Sequence, residues 1–294
     1  MVKVDLITGF LGSGKTTFIK KYARYLMEQG QNIGILENDF GAINVDMMLL
    51  RELEGENCEL EMVAGGFKTK LIAMGMCGYD RVLIEPSGIF DVDDFFDALH
   101  EEPLDRWYQI GNVITVVDAS LEKTLSKEAD YVLASEVLLS KTQDASAEEI
   151  RQTVAHLNRA LQEIHCSRVL KDEVICKDWE DFTEKEFKKI LESGYLVEDY
   201  EKLYVDQDEI FQTLFFMDEK IAVSKAKHAA KKIFEDPACG GVLRIKGFLQ
   251  DGENWLELNA TQHEISLKPI GAGQDVLIII GEKLNEEKIR YYLE

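Results

Sequence analysis

The sequence predicts an α/β fold, with a mainly parallel sheet flanked by helices, followed by a small α+β domain. Two observations carry this prediction. In the first 200 residues, short apolar runs that do not alternate with polar residues lie between longer amphipathic stretches, as in βαβ units whose strands are covered on both faces. After about residue 200, the strand-like runs come closer together, which indicates a mainly antiparallel sheet. We therefore expect domains at residues 1–200 and 201–294.

The elements follow from the pattern in chain order. Strands are predicted in the first domain at Val2–Ile7, Ile33–Leu36, Arg81–Ile84, Val113–Val117, Val137–Leu139 and Val174–Cys176. Apolar residues at helical spacing predict helices at Lys15–Met27 and Ala147–Ile164. In the second domain we expect strands at Ile210–Phe216, Val242–Leu249, Trp255–Leu258 and Val276–Ile280, and helices at Ala222–Phe234 and Asn285–Leu293. The acidic stretch Tyr195–Asp208 is the predicted linker.

Composition excludes several classes of partner. The 33 Lys and Arg against 55 Asp and Glu give a net charge of −22, which repels nucleic acid and anionic membrane surfaces. No apolar run approaches the roughly 18 residues that a membrane span needs. The five cysteines are odd in number and scattered, which is typical of a reducing compartment. We expect a cytoplasmic protein that binds neither nucleic acid nor membranes.

A phosphate loop is the strongest motif. Residues 9–16 read GFLGSGKT and match GxxxxGK[ST] in full, directly after the first predicted strand and at the start of the first helix. Glycines let the backbone N–H groups converge on phosphate oxygens, and the helix N-terminus adds its dipole. We expect Lys15 to bind the β- and γ-phosphates and Thr16 to face Mg²⁺. The sequence therefore predicts a P-loop NTPase.

Acidic residues that end two buried strands complete the predicted site. Residues 81–88 read RVLIEPSG, so Glu85 ends a strand and is expected to hold Mg²⁺ directly or through water. Gly88 is placed to offer its N–H to the γ-phosphate. Glu37 and Asp39 follow the second strand and could position water or a second metal. The catalytic candidates are thus Lys15, Glu37, Asp39 and Glu85.

Together these residues resemble the CobW-type P-loop GTPases, which are related to the GTPases that insert nickel into hydrogenase and urease. The resemblance rests on residues 9–17 (GFLGSGKTT), 37–41 (ENDFG), 85–88 (EPSG), 115–119 (TVVDA) and 243–247 (LRIKG). It implies Mg²⁺-dependent GTP binding and hydrolysis that switches metal delivery or metallocofactor maturation. It also implies that the C-terminal domain meets a partner, either a client metalloprotein or a cofactor-maturation partner. Slow intrinsic turnover is expected, because no arginine near these motifs is an obvious finger.

The chain departs from the family at the metal motif. The family carries a CxCC motif between the second strand and the acidic strand, where residues 63–69 here read VAGGFKT. Cys58 and Cys77 flank this stretch and are candidate ligands for a Zn²⁺, Co²⁺ or Ni²⁺ cargo, since thiolates favour soft and borderline metals. The alternative is that both are ordinary thiols.

A second departure concerns the base. Where the family has NKxD, residues 140–143 read SKTQ. Lys141 keeps its place, while Gln143 replaces the carboxylate that would accept guanine N1–H and N2–H. Losing a charge-assisted bond worth about 1–3 kcal/mol would lower the guanine preference roughly 10- to 100-fold. The expected nucleotide-binding residues are Gly9, Leu11, Gly12, Ser13, Gly14, Lys15, Thr16, Thr17, Gly88, Lys141 and Gln143.

Two alternatives to a GTP-dependent metal switch therefore stay open. One is a nucleotide-dependent regulator with relaxed GTP/ATP specificity and no metal cargo. The other is a P-loop small-molecule kinase.

Overall fold

A computed structural model gives the fold. It describes residues 1–9, 12–37, 50–55, 57–62, 67–86, 92–119, 136–171, 174–196, 212–217, 221–252, 254–262, 265–271, 273 and 275–293. These residues fall into two compact units, one ending at residue 196 and the other beginning at residue 212. The expected domain limit at residues 200 and 201, and most of the expected linker Tyr195–Asp208, lie outside the described residues and stay predictions.

The first unit is a parallel sheet with helices. Its strands are β1 (Val2–Thr8), β2 (Ile33–Glu37), β3 (Cys58–Met62), β4 (Arg81–Glu85), β5 (Tyr108–Asp118), β6 (Glu136–Ser140) and β7 (Ile175–Cys176). Its helices are α1 (Lys15–Glu28), α2 (Phe67–Met74), α3 (Val92–His100), α4 (Leu104–Trp107), α5 (Ala147–Glu163) and α6 (Glu184–Leu191). The strand order is β3-β2-β4-β1-β5-β6-β7, and the pairs described are all parallel. The predicted α/β fold is confirmed.

The apolar runs form strands because both faces of the sheet are covered. Every residue of β2 and β4 is buried. One face packs against the apolar side of α1, including Phe18 and Tyr22, and the other against residues such as Leu71 and Phe95. Since the strands are parallel, their carboxyl ends share one edge of the sheet, where loops carry the functional residues. We call this edge the carboxyl edge.

The second unit is an antiparallel sheet with two described helices. Its strands are β8 (Gln212–Met217), β9 (Gly241–Asp251), β10 (Asn254–Thr261), β11 (Ile265–Ile270) and β12 (Val276–Glu282), and its helices are α7 (Val223–Glu235) and α8 (Glu286–Leu293). The strand order is β11-β10-β9-β12-β8, with antiparallel pairing throughout the described residues. Residues of both helices, such as Ile233 and Ile289, share a core with the sheet. The predicted small α+β domain is confirmed.

Within the part of the chain that the structure describes, no helix combines the length and the apolar character needed to cross a bilayer. The cytoplasmic location stays a prediction.

Candidate nucleotide-binding site

The phosphate loop joins β1 to α1 and depends on glycine at its turns. Gly9, Gly12 and Gly14 have φ values of 133°, 80° and 101°, which side-chain-bearing residues rarely adopt. At Gly9 a Cβ atom would lie 2.2 Å from the Val116 carbonyl oxygen, so strand β5 closes the space beside the loop. The helix begins at Lys15 with Gly14 as its N-cap. The loop therefore has the backbone form that the motif predicts for holding an anion at a helix N-terminus.

Lys15 lies at the centre of the loop. Its Nζ donates to the Gly9 carbonyl oxygen at 3.0 Å and lies 3.8 Å from Glu85 Oε1. The side chain is only 7% exposed. Ser13 is buried in the same loop, and its Oγ has no hydrogen-bond partner among the described residues. A phosphate oxygen is the acceptor that would satisfy a buried hydroxyl and an ammonium group held this close together.

Two buried carboxylates lie beside the loop on neighbouring strands. Thr16 Oγ1 donates to Glu85 Oε2 at 3.1 Å. Glu85 ends β4 and Glu37 ends β2, and the two are paired in register across the sheet. They are 6% and 3% exposed. Two carboxylates on neighbouring strands repel each other unless a cation lies near them. A hydroxyl with hard carboxylate oxygens is a donor set that fits Mg²⁺.

Several predicted site residues cannot be placed in this geometry. Leu11, Asp39 and Gly88 lie outside the described residues. Thr17 is described and is exposed on the first turn of α1. The roles expected for these four residues stay predictions.

The base motif follows strand β6. Lys141 has a left-handed φ of 53°, and its Nζ donates to Asp118 Oδ2 at 2.6 Å. Asp118 ends β5, so the contact joins two neighbouring strand ends. Gln143 Nε2 donates instead to the adjacent Asp144 Oδ2 at 3.0 Å. The structure thus adds two carboxylates that were not expected as site residues: Asp118, which lies in the family segment 115–119, and Asp144.

The base motif and the phosphate loop adjoin each other, and Trp179 packs against the phosphate loop. A Cβ atom on Gly14 would lie 3.6 Å from Ser140 Cβ and 3.4 Å from Trp179 Cη2. The Trp179 ring also packs edge-on against Phe18 of α1, with ring centroids 5.7 Å apart. Sequence reasoning missed Trp179, although it follows the predicted strand that became β7. Its position just after a predicted strand is the sequence signal that could have indicated it.

The two candidate cysteine ligands do not join this site. Cys58 begins β3, at the edge of the sheet opposite the phosphate loop, and is buried, whereas Cys77 is exposed. Burial, with the nearby Glu54 and Glu59 carboxylates, raises the pKa of the Cys58 thiol to about 11. A protonated thiol is a poor metal ligand. Across the described ranges, no three His, Cys, Asp or Glu side chains are grouped to hold a metal ion.

Several known proteins are similar to this chain in sequence or in fold. The family model described as "CobW/HypB/UreG, nucleotide-binding domain" matches residues 3–169. The zinc chaperone YjiA of Escherichia coli (strain K12) is 29% identical over 186 residues, covering 53% of this chain and 55% of that protein. The zinc chaperone YeiR of the same organism is 28% identical over 169 residues, covering 52% and 50%. The chain spans about half the length of the curated relatives that it matches. A crystal structure of Zn(II)-bound YjiA GTPase from E. coli has a TM-score of 0.42 and 21% identity, covering 100% of this chain and 99% of that chain.

Proposed function

Since the chain belongs to the family of CobW/HypB/UreG nucleotide-binding domains, we propose that it is a Mg²⁺-dependent GTPase that switches zinc delivery to a client protein. The contact between Thr16 and Glu85, at 3.1 Å, is the observation that carries the proposal. It brings the hydroxyl of the phosphate loop to the carboxylate that ends the neighbouring strand. These are the two protein ligands that P-loop NTPases use for magnesium.

Each site residue that the structure describes has its own role in this proposal. The loop amides and Lys15 bind the β- and γ-phosphates, where positive charge stabilises the charge that develops on phosphoryl transfer. Thr16 and Glu85 hold Mg²⁺, which when bound neutralises the phosphate oxygens. The Glu37 carboxylate, buried in register with Glu85, orients the attacking water. We assign the switch to the segments that follow Glu37 and Glu85, because such segments respond to the γ-phosphate in other GTPases.

We expect slow intrinsic turnover. Arg81 begins strand β4, at the end opposite Glu85, and its Nη1 is bound to Asp5 at 2.5 Å. It is therefore held away from the phosphates. A GTPase without an arginine at the γ-phosphate is typically slow until a partner supplies one.

Zinc is the proposed cargo, and a client metalloprotein that contacts the second unit is the proposed recipient. Two relatives, the zinc chaperones YeiR and YjiA, support the choice of zinc. Among the residues that the structure describes, no ligand set for zinc is gathered, so Cys58 and Cys77 are not assigned to the cargo. Cobalt and nickel remain further cargo candidates.

The hydrolysis proposal is tested by phosphate release from GTP in Mg²⁺, with Lys15→Ala against the wild-type chain. We expect a fall of about 100- to 1000-fold, the usual loss when one preorganised charge-stabilising donor is removed. Lys21→Ala is the matched control, because Lys21 lies on the same helix and pairs at its surface with Glu180. It should stay within about twofold of wild type. Equal rates for Lys15→Ala and wild type would refute the mechanism.

A regulator without metal cargo is the second candidate function, with relaxed choice between GTP and ATP. Gln143 supports it, because the neutral amide stands at the position of the family carboxylate. Dialysis against Zn²⁺, with and without GTP, separates the two candidates. Stoichiometric zinc that responds to GTP supports delivery, and no bound zinc supports the regulator. The small-molecule kinase alternative stays untested.

A further inference from the structure

The five-stranded sheet of the second unit has two edges, and they differ in sequence. Strand β11 forms one edge and exposes Lys268 and Pro269. Proline cannot donate a backbone hydrogen bond, and an exposed lysine opposes a neighbouring strand, so such residues protect an edge from pairing. Strand β8 forms the other edge, and its residues QTLFFM include neither a proline nor a charged side chain. The β8 edge is therefore unprotected.

We propose that the β8 edge binds an extended, positively charged segment of a partner protein, which adds to this sheet as a further strand. This binding rests on the contact between the second unit and a client proposed above, and it deepens that proposal by naming the strand that makes the contact. Strand addition of this kind takes its affinity from backbone hydrogen bonds and its specificity from alternate side chains.

The backbone of β8 is available along one side. Its residues pair with β12 over its whole length, from Gln212 with Gly281 to Met217 with Val276. In the part of the chain that the structure describes, no other strand pairs with β8. An edge strand directs some of its N–H and C=O groups to its neighbour and the others away from the sheet. The groups on the outer side of β8 can therefore receive an added strand.

The side chains of β8 offer apolar contacts on both faces of the sheet. Leu214 and Phe216 lie on the face that packs against α7 and α8, and Phe216 is buried there. Successive side chains of a strand alternate between faces, so Phe215 and Met217 lie on the opposite face, where they are 37% and 42% exposed. An added strand covers such side chains and pairs with them across the ladder. We therefore expect β-branched or aromatic residues in the incoming segment.

Charge favours a different protein over a second copy of this chain. The chain has a net charge of −22, and a charge of this size keeps copies of a protein apart. Asp275 directly precedes β12 and lies at the Met217 end of the edge, since Val276 is paired with Met217. A segment with lysine or arginine residues beside its strand is therefore attracted to the edge, whereas a second copy is repelled.

The test uses the full chain and a fluorescein-labelled synthetic peptide, KKTVTVTVKK, whose valines alternate along a strand. We expect fluorescence anisotropy to show binding, and amide hydrogen exchange of residues 212–217 to slow when the peptide is bound. The peptide KKTPTPTPKK has the same charge but cannot pair as a strand, so it should bind at least about tenfold more weakly. EETVTVTVEE should also bind at least about tenfold more weakly, because its charge is opposite.

A variant of the edge locates the binding. Phe215→Lys places a protecting charge on β8, so we expect the affinity for KKTVTVTVKK to fall at least about tenfold. Val169→Lys is the matched control, because Val169 is also an exposed apolar residue, at 49%, and lies in the first unit. Its affinity should stay within about twofold of the wild-type value. Hydrogen exchange of β9 reports whether the second unit is folded, and Met217→Lys decides if Phe215→Lys does not fold.

Strand addition at β8 is overturned if the wild-type chain does not bind KKTVTVTVKK, or binds it without slower exchange at residues 212–217. Equal affinities of the wild-type chain and folded Phe215→Lys overturn it as well. A wild-type dimer in analytical ultracentrifugation that Phe215→Lys dissociates would give the edge to a second copy and overturn the proposed partner.

GTP hydrolysis by the same samples tests the proposed GTPase separately. Phe215→Lys should hydrolyse GTP at the wild-type rate, because Phe215 lies in the second unit and the phosphate loop in the first. A chain that hydrolyses GTP but does not bind the peptide at β8 overturns only the strand addition. A chain that binds the peptide at β8 but does not hydrolyse GTP overturns only the proposed GTPase.

Discussion

Two clusters of polar side chains lie at opposite ends of strand β4, and they show that buried charge alone does not mark a site. The core cluster consists of Asp5, Tyr22, Arg81 and Asn112, and the edge cluster of Lys15, Thr16, Glu37 and Glu85. Every member except Thr16 is buried. The clusters differ in their balance of charge and in the end of the strand at which they lie.

The core cluster is balanced in charge and tightly packed around Asp5, although Arg81 Nε has no hydrogen-bond partner among the described residues. Asp5 accepts hydrogen bonds from Arg81 Nη1 at 2.5 Å, from the Asn112 backbone N–H at 2.8 Å and from the Tyr22 hydroxyl at 2.9 Å. A Cβ atom on Gly111 would lie 2.2 Å from Asp5 Oδ1, so no space is left beside the carboxylate. One carboxylate and one guanidinium balance each other. Removing either partner of such a buried ion pair leaves the other charge uncompensated, and the pair leaves no room for a ligand.

The edge cluster is unbalanced. Its named members carry two carboxylates and one ammonium group, and they lie where strands end and loops begin. An added cation offsets the excess negative charge, and a phosphate brings further acceptors to Lys15. Charge balance and position along the strand, rather than burial, therefore separate the site from the core.

The largest expected effect tests the core cluster. Arg81→Met leaves the Asp5 carboxylate buried without its counter-charge, so we expect the free energy of unfolding to fall by about 3–5 kcal/mol. Urea unfolding measures it. Arg151→Met, which removes an exposed pair with Glu148, is the control and should cost under about 1 kcal/mol. Nucleotide affinity of folded Arg81→Met should equal that of wild type, and a large loss of affinity would break the comparison.

A smaller effect on folding, but a large one on chemistry, is expected at the edge cluster. Glu85→Gln keeps the size of the side chain and removes one of two like charges. We expect the free energy of unfolding to change by under about 1 kcal/mol, because the loss of charge repulsion from Glu37 offsets the weaker attraction to Lys15. Phosphate release should fall about 100-fold. Urea unfolding and a Mg²⁺ titration of the hydrolysis rate measure the two effects, and unfolding as severe as that of Arg81→Met would make the edge cluster structural.

The smallest expected effect concerns the Cys58 thiol, at the edge of the sheet opposite the phosphate loop. At pH 8 Cys58 is buried and protonated, since its pKa is raised to about 11, whereas Cys77 is exposed. Cys58 should react with a thiol reagent about 100-fold or more slowly than Cys77, because it reacts only when the sheet opens. The two rates come from labelling of the wild-type chain read at each cysteine by peptide mass spectrometry, because the exposed Cys176 also reacts. We also expect Cys58→Ala to bind as much zinc as the wild-type chain. Loss of zinc would mean that Cys58 is a metal ligand, at the edge of the sheet opposite the phosphate loop.

Local motifs made much of the fold and the family predictable. The resemblance to the CobW-type GTPases is confirmed by the match to residues 3–169. The phosphate loop depends on consecutive residues, so its strand and helix could be predicted almost to their observed ends. Glu37 and Glu85 could be proposed from their strands. Their pairing could not, because β2 and β4 are neighbours only in the folded strand order.

The sequence pattern missed strands that are stabilised by contacts distant in sequence, or predicted them too short. Strand β3 alternates Cys58 and Leu60 with Glu59 and Glu61, so it has no continuous apolar run, and it lies at the end of the strand order. Strand β5 begins at Tyr108, five residues before the predicted Val113. Its Gly111 and Asn112 belong to the strand because Asp5 binds the Asn112 backbone, a contact made across 107 residues of sequence.

The position of Trp179 has an optical consequence. Indole emission depends on the polarity and packing around the ring, and this ring lies against Gly14 at the tip of the phosphate loop. The chain has three tryptophans. Trp107 packs beside Gly75 and Trp255 beside Gly273, and both are distant from that loop in sequence. Trp179 is thus an intrinsic fluorophore beside the helix N-terminus that would bind a triphosphate. Trp107 and Trp255 serve as internal references.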